Sequence, residues 1–163
     1  MTTEFRAKAK KLHKGNHYED FELGRVFQHH WGRTLNEGDN SLFTTLTLSY
    51  NPIYFNREYA QAHGHPGIVV NAMLVFLTVF GLSVEDLSEA GGLFLGVDEL
   101  TFHKPVYPGE TLVARSTVVD RRESTSRPDN GIVTWHTEGF NSRGEMVIDF
   151  RRTNLVTKRA VRK

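Results

Sequence analysis

Residues 48–56 read Leu-Ser-Tyr-Asn-Pro-Ile-Tyr-Phe-Asn. The run places a hydroxyl (Ser49), an amide (Asn51) and a phenol (Tyr54) around one proline. Serine titrates far outside the useful range, so Ser49 is no general base unaided. A tyrosine, with a reference pKa of about 10, donates a hydrogen bond or acts as an acid, and is a poor base near neutral pH. Asn51 has two readings. It orients a water or a carbonyl, or it bonds the backbone of a turn, as Asn-Pro pairs do. The run therefore offers acid and orienting groups but no base. A histidine, with a reference pKa of about 6.5, would suit that task. His65 is the first candidate, on a stretch that could reach the same cleft, with His63 and Asp39 behind it.

Other chemistries find less support. His29 and His30 are neighbours on a strand and point to opposite faces, so they make no compact metal pair. His103 and His136 read as isolated structural residues, and no metal site is expected. The chain has no cysteine, which excludes disulfides, thiolate nucleophiles and Cys-ligated zinc. Residues 120–131 carry Arg121, Arg122 and Arg127, with Lys104 and Arg115 on neighbouring strands. Lys104, Arg115 and Arg122 could hold phosphates. The alternative is a solvated hairpin tip with Glu123 and Asp129 as counter-charges. The glycines of residues 89–96 fit neither nucleotide-binding fingerprint.

The elements that must position these groups are legible in outline. At 163 residues, 39% hydrophobic and 24% charged, the chain suits one packed domain. A net charge of +1 gives no argument for nucleic acid or a membrane surface. No stretch reaches the roughly 18–20 apolar residues of a membrane span. The absence of cysteine leans towards a reducing, cytoplasmic compartment. Residues 1–15 and 158–163 are basic and read as solvated arms flanking a domain over 16–157.

Residues 25–34 read as a strand. Asn36, with Asp39 three positions on, opens a helix by a capping-box pattern, and Pro52 should end it. Asn56 and Gly64 bracket a second short helix. Residues 71–82 are apolar on nearly every face, the mark of a buried helix, and Asn71 can cap it. Residues 93–106, 110–123, 131–141 and 145–158 are four strand candidates separated by turn residues, expected to pair consecutively and antiparallel. The result is an α+β hot-dog fold, a curved antiparallel sheet around one central helix. Open sheet edges predict a homodimer.

The runs 33–64, 67–74 and 94–112 together resemble the MaoC-like dehydratases, hot-dog proteins, over about residues 16–157. In that family the loop reads Asp-x-Asn-Pro-x-His, and the pair activates water for addition to an enoyl thioester. Here Ser49 and Tyr54 occupy those two positions, so the usual pair is absent. The family's backbone amides at the central helix start polarise the thioester oxygen; the matching positions are Asn71 and Ala72. The pattern is similar to the branch that hydrates itaconyl-CoA or mesaconyl-CoA. The resemblance implies an acyl-CoA substrate, no cofactor beyond that coenzyme A, and a cation for the substrate carboxylate, with Arg33 a candidate. Water could then be ordered by the substrate's own carboxylate. A second reading is a non-catalytic, tunnel-shaping subunit of a heterodimer. A thioesterase ranks third, because no carboxylate lies near the start of the helix.

Overall fold

The computed structural model describes residues 14–159. The expected arms therefore lie mostly outside the described residues. Of the tail, Lys158 and Arg159 are visible and are ion-paired to Glu123 and Asp20. The strands are β1 (Val26–Gln28), β2 (Arg33–Thr34), β3 (Gly92–Phe102), β4 (Thr111–Glu123), β5 (Asn130–Phe140) and β6 (Met146–Thr157). The helices are α1 (Glu37–Leu46), α2 (Arg57–Ala62), α3 (Ala72–Leu82) and α4 (Val84–Ser88). All pairings are antiparallel, in the order β1-β4-β5-β6-β3, with β2 also on β4.

Several expectations are met in detail. Asn36 and Asp39 form the reciprocal capping box, with Asp39 N–H donating to Asn36 Oδ1 at 2.9 Å. Asn56 caps α2, and Gly64 (φ +85°) follows it. Others need correction. The segment 25–34 is two short strands broken at His29–Gly32, not one. Helix α1 stops at Leu46, well before Pro52, because Leu48 adopts a left-handed φ of 56°. Strand β3 ends at Phe102 and pairs with β6, not with its successor β4. Residues 103–110 carry the chain across to β4.

Inward and outward residues alternate strictly along β5. Val133, Trp135 and Gly139 face the helix, and Thr134, His136 and Glu138 face away. Helix α3 lies flush on this face. A Cβ at Gly139 would come within 2.7 Å of both Val79 and Ile148, so only glycine fits. One core cluster gathers Val75, Val79, Leu112, Ile148 and Phe150 around α3; a second gathers Phe21, Phe27, Leu87 and Trp135. Each such side chain contributes roughly 1.5–3 kcal/mol when fully buried. The helix is not buried all round, as its composition predicted. Val75 and Val79 are covered, but Met73 and Leu77 on another stripe stay 45% and 48% exposed.

Candidate active site at the start of helix α3

The predicted loop folds against the N-terminal end of α3. Asn51 Oδ1 accepts from Ile53 N–H at 3.2 Å and opens a single tight helical turn, Pro52–Tyr54. Its side chain is thus engaged in the turn. Ser49 does reach the helix start: Asn71 Nδ2 donates to Ser49 Oγ at 3.0 Å. Asn71 Oδ1 in turn accepts from Met73 N–H at 3.0 Å, the expected cap.

A residue not singled out in the sequence ties these parts together. Asn40 is fully buried on α1. Its Nδ2 donates to the carbonyls of Tyr54 (2.8 Å) and Val69 (3.0 Å), and its Oδ1 accepts from Asn71 N–H (2.7 Å). One amide therefore joins α1, the Tyr54 turn and the helix start. The available signal was an asparagine, a poor helix former, inside a helix.

Tyr54 and Ala72 line a common cleft of about 200 Å3 with Val75, Phe102, Lys104 and Val106. Two of the amides opening α3 are spent on Asn40 and on the Asn71 cap. The N–H of Ala72 has no acceptor among the described residues. It stands at the positive end of the helix, where donors suit a developing oxyanion. Lys104 stands on the rim, its Nζ donating to Glu145 at 2.6 Å. Hydrogen bonds from Asn141, Lys104 and Arg143 hold the Glu145 carboxyl down to about 2. Among the described residues no carboxylate lines this cleft.

The other predicted residues go elsewhere. His65 does not line the cleft; its Nδ1 meets the Tyr107 hydroxyl at 3.0 Å. Burial, with Glu110 nearby, raises that phenol's pKa. His63 stacks on Tyr59 and bonds its carbonyl. Asp39 is occupied by the cap and by Arg33, 3.0 Å away, so Arg33 is not a free cation.

The three proposed phosphate ligands do not form one cluster. Arg115 makes a bidentate pair with Glu138 at 2.7 and 2.9 Å on the outer face of the sheet. Arg122 is exposed seven residues further along β4, roughly 20 Å at strand rise. Arg121 lies over the Tyr18 ring instead.

His103 and His136 are not isolated. Both bond the Asp149 carboxylate, at 2.6 and 2.7 Å. Burial raises the Asp149 pKa, but the two imidazoles outweigh it and lower it overall. This meeting depends on strand register and left no trace in the local sequence. His103 also borders the Tyr54 cleft. His29 points inward and His30 outward, but from the break between β1 and β2 and not from a strand. Among the described residues no cluster has the makings of a metal site, and no helix is long and apolar enough to cross a membrane.

A family profile described as mesaconyl-CoA hydratase matches residues 2–163. Mesaconyl-CoA hydratase of Haloarcula hispanica is 41% identical over 147 residues, which are 90% of this chain and 41% of that protein. A solved MaoC domain dehydratase from Chloroflexus aurantiacus superposes with a TM-score of 0.84 at 34% identity, covering 93% of this chain and 43% of that one. A Mycobacterium tuberculosis protein with a double hot-dog fold aligns at a TM-score of 0.79 and 23% identity, over 91% of this chain and 46% of that one, a likeness of fold alone. The chain thus spans about two fifths of the length of relatives it matches. The fold is a hot-dog, and the chain belongs to the mesaconyl-CoA hydratase family.

Proposed function

We propose that the chain is a hydro-lyase that adds water to a short, branched dicarboxylic enoyl-CoA thioester such as mesaconyl-CoA or itaconyl-CoA, or removes it. The observation that carries this reading is the cleft that Tyr54 and Ala72 line together, the N–H of Ala72 having no acceptor among the described residues. In hydration the water oxygen bonds the β-carbon and a proton bonds the α-carbon. Charge builds on the thioester oxygen between the two events, and Ala72 N–H receives it. Tyr54 supplies the α-proton. The proton lost by the water returns to the phenol through the substrate's free carboxylate, which orders that water in place of the absent aspartate and histidine. Lys104, not Arg33, is the cation positioned to meet this carboxylate, at the cost of loosening its pair with Glu145. Ser49 and Asn51 shape the loop.

Two hot-dog units complete the site. Strand β3 is a sheet edge, with Leu93 and Leu95 each about half exposed, and Met73 is also uncovered. The matched relatives are more than twice as long. A homodimer joined along these surfaces covers them. The same length difference supports the second reading, a tunnel-shaping unit beside a different chain carrying the usual pair.

The test is a hydration assay on the purified chain with crotonyl-CoA, mesaconyl-CoA and itaconyl-CoA, following loss of the enoyl absorbance. Turnover of a dicarboxylic thioester by the chain alone is the expected result. Binding of thioesters without turnover of any would overturn the catalytic reading in favour of the tunnel-shaping one.

A further inference from the structure

The opposite end of helix α3 holds a charge with no counter-charge. Arg152 is only 2% exposed. Its Nε donates to Asn154 Oδ1 (3.0 Å), Nη1 to Ser83 Oγ (3.0 Å) and Nη2 to Ser88 Oγ (2.7 Å). All three partners are neutral, and among the described residues no carboxylate pairs with it. A guanidinium has five N–H donors, so two are unspent. Asn154 is 1% exposed, and its Nδ2 is buried without an acceptor. Buried charges are ordinarily paired, because an unpaired one loses its hydration for little return. Burial holds the guanidinium down to about 10, which leaves it charged at neutral pH. Stacking over Phe80 at 4.1 Å offsets part of that cost.

Arg152 and Asn154 help line a cavity of about 300 Å3 walled by Phe76, Leu77, Phe80, Val84 and Phe94. We propose that Arg152 and Asn154 form a binding seat for a carboxylate carried on a compact apolar body. A carboxylate is acceptor-only and planar, and it matches the guanidinium fork. Phosphate, more highly charged and more heavily hydrated, suits the apolar walls less well.

The seat is distinct from the thioester site. Ala72 and Phe80 are eight residues apart, about 12 Å along a helix axis. The three bonds joining the ends of a four-carbon diacid span only about 4 Å. A short diacid held at Ala72 therefore does not reach Arg152. The occupant is either a separate carboxylic acid or the far carboxylate of a longer acyl chain. The inference rests on this cavity and is independent of the hydratase reading.

The chain has two tryptophans, and the Arg152 guanidinium lies 6.0 Å from the Trp135 ring. In full-length Trp31→Phe protein, Trp135 fluorescence then reports on the seat. Hexanoate should give a saturable change that hexan-1-ol does not. Asn154→Asp places a carboxylate beside Arg152, and should weaken hexanoate binding by about tenfold or more, the factor carried by one charge-assisted hydrogen bond. It should also raise the urea midpoint, which shows that the variant folds. Tighter binding of the coenzyme A thioester of decanedioic acid than of hexanoate would assign the seat to an acyl group; the reverse would assign it to a free acid. Equal responses to hexanoate and hexan-1-ol, or undiminished hexanoate binding in Asn154→Asp, would overturn the proposal.

Discussion

The two ends of helix α3 share one apolar segment but differ in what they present. At the start, neutral amides are matched donor to acceptor through Asn40 and Asn71, and the N–H of Ala72, a residue that lines the cleft, has no acceptor among the described residues. At the end, Arg152 and Asn154 are buried with donors unspent. Nearly complete pairing fixes geometry at little electrostatic cost, as a site for a transient oxyanion requires. An uncompensated cation is costly and is best explained by something that arrives to pair with it.

The largest expected effect is at the start of the helix. Asn40→Leu removes three buried hydrogen bonds and strands their partners, which should cost about 3 kcal/mol of stability. A urea midpoint lowered by less than a third of that would mean the Asn40 hub is not what fixes this end. Ser83→Ala is the counterpart at the other end. It removes an acceptor of Arg152 and a donor to the Phe80 carbonyl, and about 1.5 kcal/mol should be lost in the same measurement. An unchanged midpoint would show that the serines do not hold the guanidinium.

The ends should also differ in pH response. His29 is buried, with Nδ1 2.6 Å from Asp86 and Nε2 2.8 Å from Ser116 Oγ. Burial lowers its pKa, and the opposing pull of Asp86 does not restore it. The unfolded chain therefore binds the proton more readily, so stability should fall as pH drops below about 6.5 towards the folded-state value. Asp20, Glu138, Glu145 and Asp149 have lowered pKa values. Their stabilisation is lost only further down, as pH falls through the carboxylate range. Thermal melts from pH 7.5 to 5 should slope downward in the parent and less so in His29→Gln. The smallest effect belongs to the outer face: Arg115→Ala should change stability by no more than about 0.5 kcal/mol. Nor should it alter KM for a coenzyme A thioester, and a large rise in KM would return Arg115 to the phosphate site.

These contrasts mirror what the sequence could disclose. Around the helix start the caps and turns are signals close in the chain, unlike the Asn40 bonds that reach 29 and 31 positions to join them: Asn36 with Asp39, Asn51 with Pro52, and Asn71 before an apolar run. Each is a local rule of caps and turns, and each was legible. The helix end draws on β6, α4 and the close of α3, with Arg152 separated from Ser83 by 69 positions. No periodicity discloses such a meeting. The pairing of His103 and His136 on Asp149 was hidden for the same reason, since strand order and register decide it. The expectation of His65 as the base failed on geometry, because nearness in sequence to the helix start did not place its ring in the cleft.

A Tyr54 phenol that serves chemistry at the start of α3 cannot be removed without loss of turnover. The direct measurement is kcat of Tyr54→Phe on the dicarboxylic thioester that the parent hydrates, alongside the urea midpoint. A catalytic phenol predicts a fall of about a hundredfold or more in kcat with little loss of stability. A kcat within about threefold of the parent's, a difference of under ~1 kcal/mol in the barrier, would contradict it.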